Sequence, residues 1–178
     1  IIVIEHGEKR YELFGWTNLD NKSIGWLCLE AKSLEELEKP LHPDHILMLQ
    51  NFGGVTERWN EPLDTWLLNL NHAFTYEFSE LGFGGWEEPF HEYCEEEGIE
   101  ISINPYDYIS FAEEANGNVT MYKRTSGEVF MYAHDHDFPF IKPLEGFPEY
   151  TLYLVENSET FVDWVETIAT QWLSNVKD

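Results

Sequence analysis

One run in the sequence combines side chains that bind metals, His134-Asp135-His136-Asp137. On an extended strand its two histidines lie on one face and its two aspartates on the other. A zinc site needs third and fourth ligands, and no spaced motif elsewhere in the sequence supplies them. We therefore predict no metal site and interpret the run as a turn or strand end with capping aspartates.

Motifs that carry catalysis are absent from the sequence. It has no G-x-S-x-G nucleophile elbow, no H-E-x-x-H pair and no phosphate-binding loop with its lysine. Gly82-Phe83-Gly84-Gly85 precedes a predicted helix but brings no cation, and the acidic residues that follow would repel phosphate. Pairs of carboxylates such as glycosidases use are expected by chance among 34 Asp and Glu residues. We expect no enzymatic activity and no cofactor.

The seven tryptophans offer rings on which a sugar could stack. Five of them fall in predicted helices or strands and are expected in the core: Trp16, Trp26, Trp66, Trp164 and Trp172. Trp59 and Trp86 fall in predicted loops and are the candidates for the surface. With nearby carboxylates they define an alternative function, a carbohydrate-binding or carbohydrate-active domain.

The charge of the chain is strongly acidic and unevenly distributed. Ten Lys and Arg residues against 34 Asp and Glu residues give a net charge of −24. Nucleic acids and anionic membranes bind basic surfaces, so neither is an expected partner. Between Trp59 and Tyr122 there is no Lys or Arg at all. Such a stretch is either a solvated face that maintains solubility or a surface matched to a basic protein partner.

Signals for targeting and disulfide formation are weak. The apolar start Ile1-Ile2-Val3-Ile4 has no basic residues before it and no small-residue cleavage site after it, so we interpret it as an edge or first strand. No window approaches the roughly 18 apolar residues of a spanning helix. Cys28 and Cys94 are expected to be buried free thiols, with a single bridge as the alternative. We predict a cytoplasmic protein.

Strands are predicted first, followed by two short helices. The first thirty residues alternate loosely between apolar and polar types around a polar turn, which indicates two strands. Ser33 begins a helix, and Glu36 completes a capping box with it. A second helix over Asp44–Phe52 is expected to end at Gly53-Gly54, because glycine adopts the left-handed cap conformation at little cost.

The remainder of the chain predicts a β-meander between two helices. An acidic helix covers Glu87–Glu97 and is stopped by Gly98. Asn116-Gly117 is a strong hairpin signal. The last helix begins near Ser158, with an apolar stripe at helical spacing that packs on the sheet. The predicted strands are Thr65–Leu70 with an extension over Phe74–Phe78, Ile99–Ile103, Tyr108–Ala112, Val119–Tyr122, Val129–Tyr132 and Tyr150–Val155.

These elements predict an α+β fold, with a mainly antiparallel central sheet and helices packed on it, rather than a parallel doubly wound sheet. Residues 1–178 are expected to form a single domain. Residues 1–38 would be an N-terminal β elaboration with the first helix, and residues 39–172 the core.

The core resembles the SUKH superfamily, which contains the Smi/Knr-type cell-wall assembly regulators and many bacterial immunity proteins. Three segments carry the resemblance. They are the helix and Gly-Gly turn of His42–Gly54, the central hairpins of Ile109–Asp135 with their Asn116-Gly117-Asn118 and Ser126-Gly127-Glu128 turns, and the closing helix of Glu159–Trp172. The order and spacing of these segments match the family over residues 39–172, so the resemblance also implies an α+β fold.

The resemblance implies a non-enzymatic protein that binds and neutralises a toxin, often a nuclease. Nuclease domains tend to be basic, which agrees with the acidic charge pattern. The alternative within the family is a regulatory or scaffold protein of cell-wall synthesis. We predict a protein partner, a basic toxin domain, bound through the acidic helix with secondary contacts nearby. The candidate residues are Glu87, Glu88, Glu92, Glu95, Glu96, Glu97, Asp135, Asp137, Trp59 and Trp86.

Overall fold

The computed structural model describes residues 2–37, 40–59, 70–100, 103–114, 116–135 and 140–177. Within these ranges the strands form one antiparallel sheet in the order β1-β2-β3-β4-β5-β6-β7-β8-β10-β9. The strands are β1 Ile2–His6, β2 Lys9–Thr17, β3 Ser23–Leu29, β4 Val55–Trp59, β5 Leu70–Ala73, β6 Tyr108–Glu114, β7 Val119–Lys123, β8 Val129–Tyr132, β9 Ile141–Pro143 and β10 Leu152–Val155. The predicted α+β fold with a mainly antiparallel sheet is confirmed.

Helices cover both faces of this sheet. They are α1 Pro43–Asn51, α2 Tyr76–Ser79, α3 Glu87–Glu96 and α4 Phe161–Leu173, with single 3-10 turns at Leu34–Glu36 and Pro105–Asp107. Side chains of β8 alternate between two hydrophobic clusters, because successive residues of a strand point to opposite faces. The first cluster contains residues of α1 and α4, and the second contains residues of α2 and α3. α1 and α4 therefore lie on one face and α3 on the other, whereas Tyr76 of α2 also packs against the first cluster.

The N-terminal strands join the same sheet and pack on the last helix. β1, β2 and β3 pair in sequence, and β3 pairs with β4. Trp16 of β2 and Trp26 of β3 contact Trp172 of α4, with ring centroids 4.3 Å and 4.9 Å from it. Trp172 is buried as expected, whereas Trp16 and Trp26 are partly buried and pack against the core. The predicted first strand at the start of the chain is observed as β1.

In the first half of the chain, one helix is shorter than predicted and another ends in a different way. The capping box of Ser33 and Glu36 forms, but the helix it begins is one 3-10 turn. Leu34 is exposed there, so little packing supports a longer helix. α1 ends on extended backbone at Phe52 instead of on a left-handed glycine. Gly53 is required for a different reason: the backbone carbonyls of β3 approach it closely.

Two predicted strands are wrong where the structure describes them. The extension over Phe74–Phe78 is replaced by α2, whose N-cap Thr75 accepts a hydrogen bond from the backbone N–H of Phe78. Ile99, Glu100 and Ile103 are not in a strand, and the N–H of Ile99 instead bonds to a carbonyl at the end of α3. The predicted strand over residues 65–70 lies outside the described residues except for its last position, where β5 begins. β4 and β9 were not predicted.

Candidate functional site

The candidate site is centred on α3, which forms where the sequence predicts an acidic helix. Phe90 and Cys94 are one turn apart and buried in the second cluster, so they fix which side of α3 faces the protein. Gly98 has a φ of +67° immediately after the helix, as a terminating glycine should. The other side of α3 therefore faces solvent.

Five carboxylates project from that solvent side and make up what we term the acidic face: Glu88, Glu92, Glu95, Glu96 and Glu97. All five are exposed. Among the residues that the structure describes, none forms an ion pair with any of the five. The acidic face is thus a concentrated negative charge that the described part of the protein leaves uncompensated.

Glu87, the sixth predicted residue of this helix, has a structural contact. Its Oε1 accepts a hydrogen bond of 2.7 Å from the backbone N–H of Phe83, and the side chain is partly buried. This contact ties the glycine-rich loop to the first turn of α3. A carboxylate in the first turn also favours the helix, because it faces the positive end of the helix dipole.

Most of the acidic face lies where its charges reduce the stability of α3; the helix dipole favours only Glu88, in the first turn. Glu95, Glu96 and Glu97 lie at the C-terminal end, the negative end of the helix dipole. Glu88 and Glu92 are four residues apart, so their like charges repel, each such pair costing a few tenths of a kcal/mol. Local stability therefore does not explain why these residues are acidic.

Trp86 packs against the sheet beside the start of α3. Its ring stacks on those of Tyr132 and His134 with centroids 5.1 Å away in both cases, and its Nε1 donates to the carbonyl of Gly117 at 2.8 Å. Trp86 is therefore half-buried and anchored, unlike the open surface ring that a sugar platform requires. Trp59 ends β4 and does not lie in the predicted loop.

Asp135 holds the hairpin turn between β6 and β7. Its two carboxylate oxygens accept hydrogen bonds of 2.9 Å from the side-chain amides of Asn116 and Asn118. Asp135 is exposed and follows His134, so it lies near the N-terminal end of α3. His136 and Asp137 lie outside the described residues. Within the described ranges, no group of three or more His, Cys, Asp or Glu side chains is arranged to hold a metal ion.

Glu114 is a carboxyl group beside this turn that the sequence analysis missed. It is buried, and Asn118 Nδ2 donates to its Oε2 at 3.3 Å. Desolvation is the main cause that raises the pKa of Glu114 to about 8; the hydrogen bond from Asn118 opposes it, and the nearby charge of Asp135 adds to it. The Asn116-Gly117-Asn118 turn predicts the hairpin, but no local signal shows that the carboxyl group four residues before Asn118 is buried.

The two cysteines are free and buried, as predicted. Burial raises the pKa of Cys28 to about 12 and also raises the pKa of Cys94. A thiol reacts through its thiolate form, and a raised pKa keeps the thiol protonated, so both cysteines are unreactive. Neither belongs to the candidate site.

No protein-family model, curated protein or solved structure matches the chain. The resemblance to the SUKH superfamily therefore stays a prediction. Of the helices that the structure describes, none has the length and apolar character needed to cross a membrane.

Proposed function

We propose that the protein is an immunity protein, which binds a basic toxin domain through the acidic face and thereby neutralises it. The single observation that supports this proposal is the acidic face itself. Its five exposed carboxylates have no ion-pair partner among the described residues, and three of them, Glu95, Glu96 and Glu97, lie at the end of α3 where negative charge costs stability. A charge pattern kept at the expense of stability is typical of a binding surface.

The mechanism that we propose is occlusion of the partner's own binding surface. An enzyme that cleaves nucleic acid must present Lys and Arg to phosphates. Carboxylates displayed along one side of a rigid helix can occupy the same positions. Complementary charge accelerates association and fixes the relative orientation of the two proteins, and apolar contacts around it add affinity. The resemblance to a superfamily rich in immunity proteins supports the same class of partner.

The decisive experiment begins with a pull-down from the source organism, eluted with a salt gradient and analysed by mass spectrometry. We expect a basic toxin domain that salt releases. Its association rate with the purified protein is then measured by stopped flow as a function of ionic strength, since exposed charges are screened within about 3 Å at 1 M salt. Co-expression with the toxin in a growth assay tests whether binding neutralises it.

Two variants of equal charge change locate the binding surface. Glu92→Lys/Glu96→Lys alters the acidic face, and Glu8→Lys/Glu145→Lys alters exposed carboxylates elsewhere. We expect the first pair to slow association at low salt by at least tenfold and the second pair to slow it by about twofold. Equal effects of the two pairs would refute the acidic face as the binding surface. Recovery of a cell-wall enzyme would favour the regulatory alternative, and binding only to glycan arrays would favour the carbohydrate alternative.

A further inference from the structure

An apolar groove of about 370 Å³ lies between α1 and α4. Its apolar lining consists of Leu47, Met48, Phe52, Phe161, Val162 and Val165. Leu47 on one wall is 60% exposed, and Val162 on the other wall is 40% exposed. The groove lies on the face of the sheet opposite to α3, so it is a surface distinct from the acidic face.

The two wall residues contribute little to the core. α1 buries His45 and Leu49 against the sheet, whereas Leu47 points away from it. α4 buries Phe161 and three other side chains, whereas Val162 keeps 40% of its surface exposed. Polar residues would be tolerated at both walls, so their apolar character is not required by the fold. Met48 between them is a flexible side chain that adapts to different apolar partners.

The charges around the groove identify the chemistry of its occupant. Asp44 lines the groove at the start of α1, and Glu166 is exposed one turn after Val162 on α4. Neither α1 nor α4 contains a Lys or Arg. An occupant with apolar side chains flanked by Lys or Arg fits both the lining and the rim. A second copy of this chain fits poorly, because it would bring the same acidic rim and a net charge of −24.

We infer that this groove binds an amphipathic segment of a partner protein, which inserts apolar side chains between Leu47 and Val162 and carries Lys or Arg at its edges. Helices that bind in this way place apolar anchors at i, i+3 or i+4 and i+7. The basic flanks then face Asp44 and Glu166. The inference does not depend on the acidic face being used, because the two surfaces lie on opposite sides of the sheet.

The three methionines of the chain provide a direct test. Met48 lines the groove, whereas Met121 and Met131 are fully buried in the core. In protein labelled with ¹³C at the methionine methyl groups, we titrate an 18-residue peptide with Leu at helical spacing and Lys elsewhere. We expect the Met48 signal to shift saturably while the Met121 and Met131 signals stay unchanged. A control peptide with Glu in place of Lys is expected to produce no shift.

Matched variants separate groove binding from general attraction to an acidic protein. Leu47→Ser and Val162→Ser are each expected to raise the Kd of the Lys peptide about tenfold, because each removes a buried apolar contact. Leu34→Ser is the control, since Leu34 is 61% exposed and lies outside the groove. Circular dichroism confirms that the variants fold, which the exposure of these side chains leads us to expect.

Three results would overturn the inference. The first is a Met48 signal that does not move while the peptide binds. The second is an equal loss of affinity in Leu34→Ser and Leu47→Ser. The third is a Met48 signal that shifts with protein concentration alone, together with a dimer in sedimentation, which would make a second copy the occupant.

Discussion

The Nδ1 atom of His45 lies 3.0 Å from the hydroxyl oxygen of Tyr122, and this contact ties α1 to β7 inside the core. The Nε2 atom of the same ring lies 3.4 Å from the carbonyl oxygen of Phe74. A carbonyl oxygen only accepts, so Nε2 carries the proton and Nδ1 accepts from the tyrosine hydroxyl. The hydroxyl oxygen in turn accepts from the backbone N–H of His42. This network requires a neutral imidazole.

The first prediction is that His45 makes the protein sensitive to mild acid. Burial lowers the pKa of His45 from 6.5 to about 4. Below about pH 6.5, His45 binds a proton in the unfolded chain but stays neutral in the folded chain. The free energy of unfolding therefore falls as the pH falls towards about 4. The loss is about 3 kcal/mol. The difference in free energy of unfolding between the wild type and His45→Gln should therefore narrow by that amount between pH 7 and pH 4, measured by urea unfolding.

Tyr122→Phe is the control for this experiment. It removes the two hydrogen bonds of the Tyr122 hydroxyl and about 2 kcal/mol of stability, but it keeps the buried imidazole. Its free energy of unfolding should run parallel to that of the wild type. A constant difference between the wild type and His45→Gln across the pH range would show that the imidazole does not control the acid response.

The second prediction is that removing charge from the end of α3 stabilises the protein and weakens its binding. Glu95 and Glu96 are exposed at the negative end of the helix dipole. The double variant Glu95→Gln/Glu96→Gln should raise the free energy of unfolding by about 0.5 kcal/mol or more at low salt, and by less in 1 M NaCl. Thermal unfolding at both salt concentrations measures this. Glu145→Gln, at an exposed site outside any helix, should leave the stability nearly unchanged. A less stable double variant would contradict our explanation of the acidic face.

Elements with strong local signals could be predicted from the sequence. The Asn116-Gly117 turn specifies the hairpin of β6 and β7, and the stripe of Phe161, Ile168 and Trp172 specifies the buried side of α4. β9 could not be predicted, because it has only three residues, too few for an alternating pattern to show. Its extended conformation depends on pairing with β10 more than on its own residue types.

In the candidate site too, the features that depend on residue types could be predicted, and those that depend on tertiary packing could not. The acidic side of α3 follows from residue types and helical spacing alone, so the sequence predicts it. The anchoring of Trp86 could not be predicted, because Tyr132 and Gly117 are distant in sequence and meet it only in the folded sheet. The groove between α1 and α4 was missed for that reason too: its two walls come from helices more than a hundred residues apart.

The third prediction concerns Gly53, whose missing side chain leaves room for β3. A Cβ atom at this position would lie 2.6 Å from the carbonyl oxygen of Leu29, which is backbone and cannot rotate away. Gly53→Ala should therefore cost more than 3 kcal/mol or abolish folding, as overpacking against rigid neighbours does. Gly98→Ala is the control, because Gly98 has a positive φ but open space around it. It should cost about 1 kcal/mol. Equal melting temperatures for the two variants would contradict this account.

The fourth prediction is that Trp86 is coupled energetically to His134. Their rings stack with centroids 5.1 Å apart and an interplanar angle of 20°. Trp86→Phe should lose about 1 kcal/mol, because phenylalanine cannot replace the Nε1 hydrogen bond to Gly117. In a double-mutant cycle of Trp86→Ala with His134→Ala, which removes both rings, the coupling should be about 0.5–1.5 kcal/mol, the range for stacked aromatic pairs. The same cycle with His6→Ala, on the exposed strand β1, should be additive.

The outcome of that cycle also bears on the carbohydrate alternative. A tryptophan that anchors the start of α3 must remain packed on β8, so it is not free to stack on a sugar. Trp86→Phe should then lower stability while leaving any binding to glycan arrays unchanged. Additive energies for Trp86 and His134, combined with a loss of glycan binding in Trp86→Phe, would reverse this assignment. In that case the indole would be a ligand-binding ring, and the acidic helix beside it would be part of a sugar site.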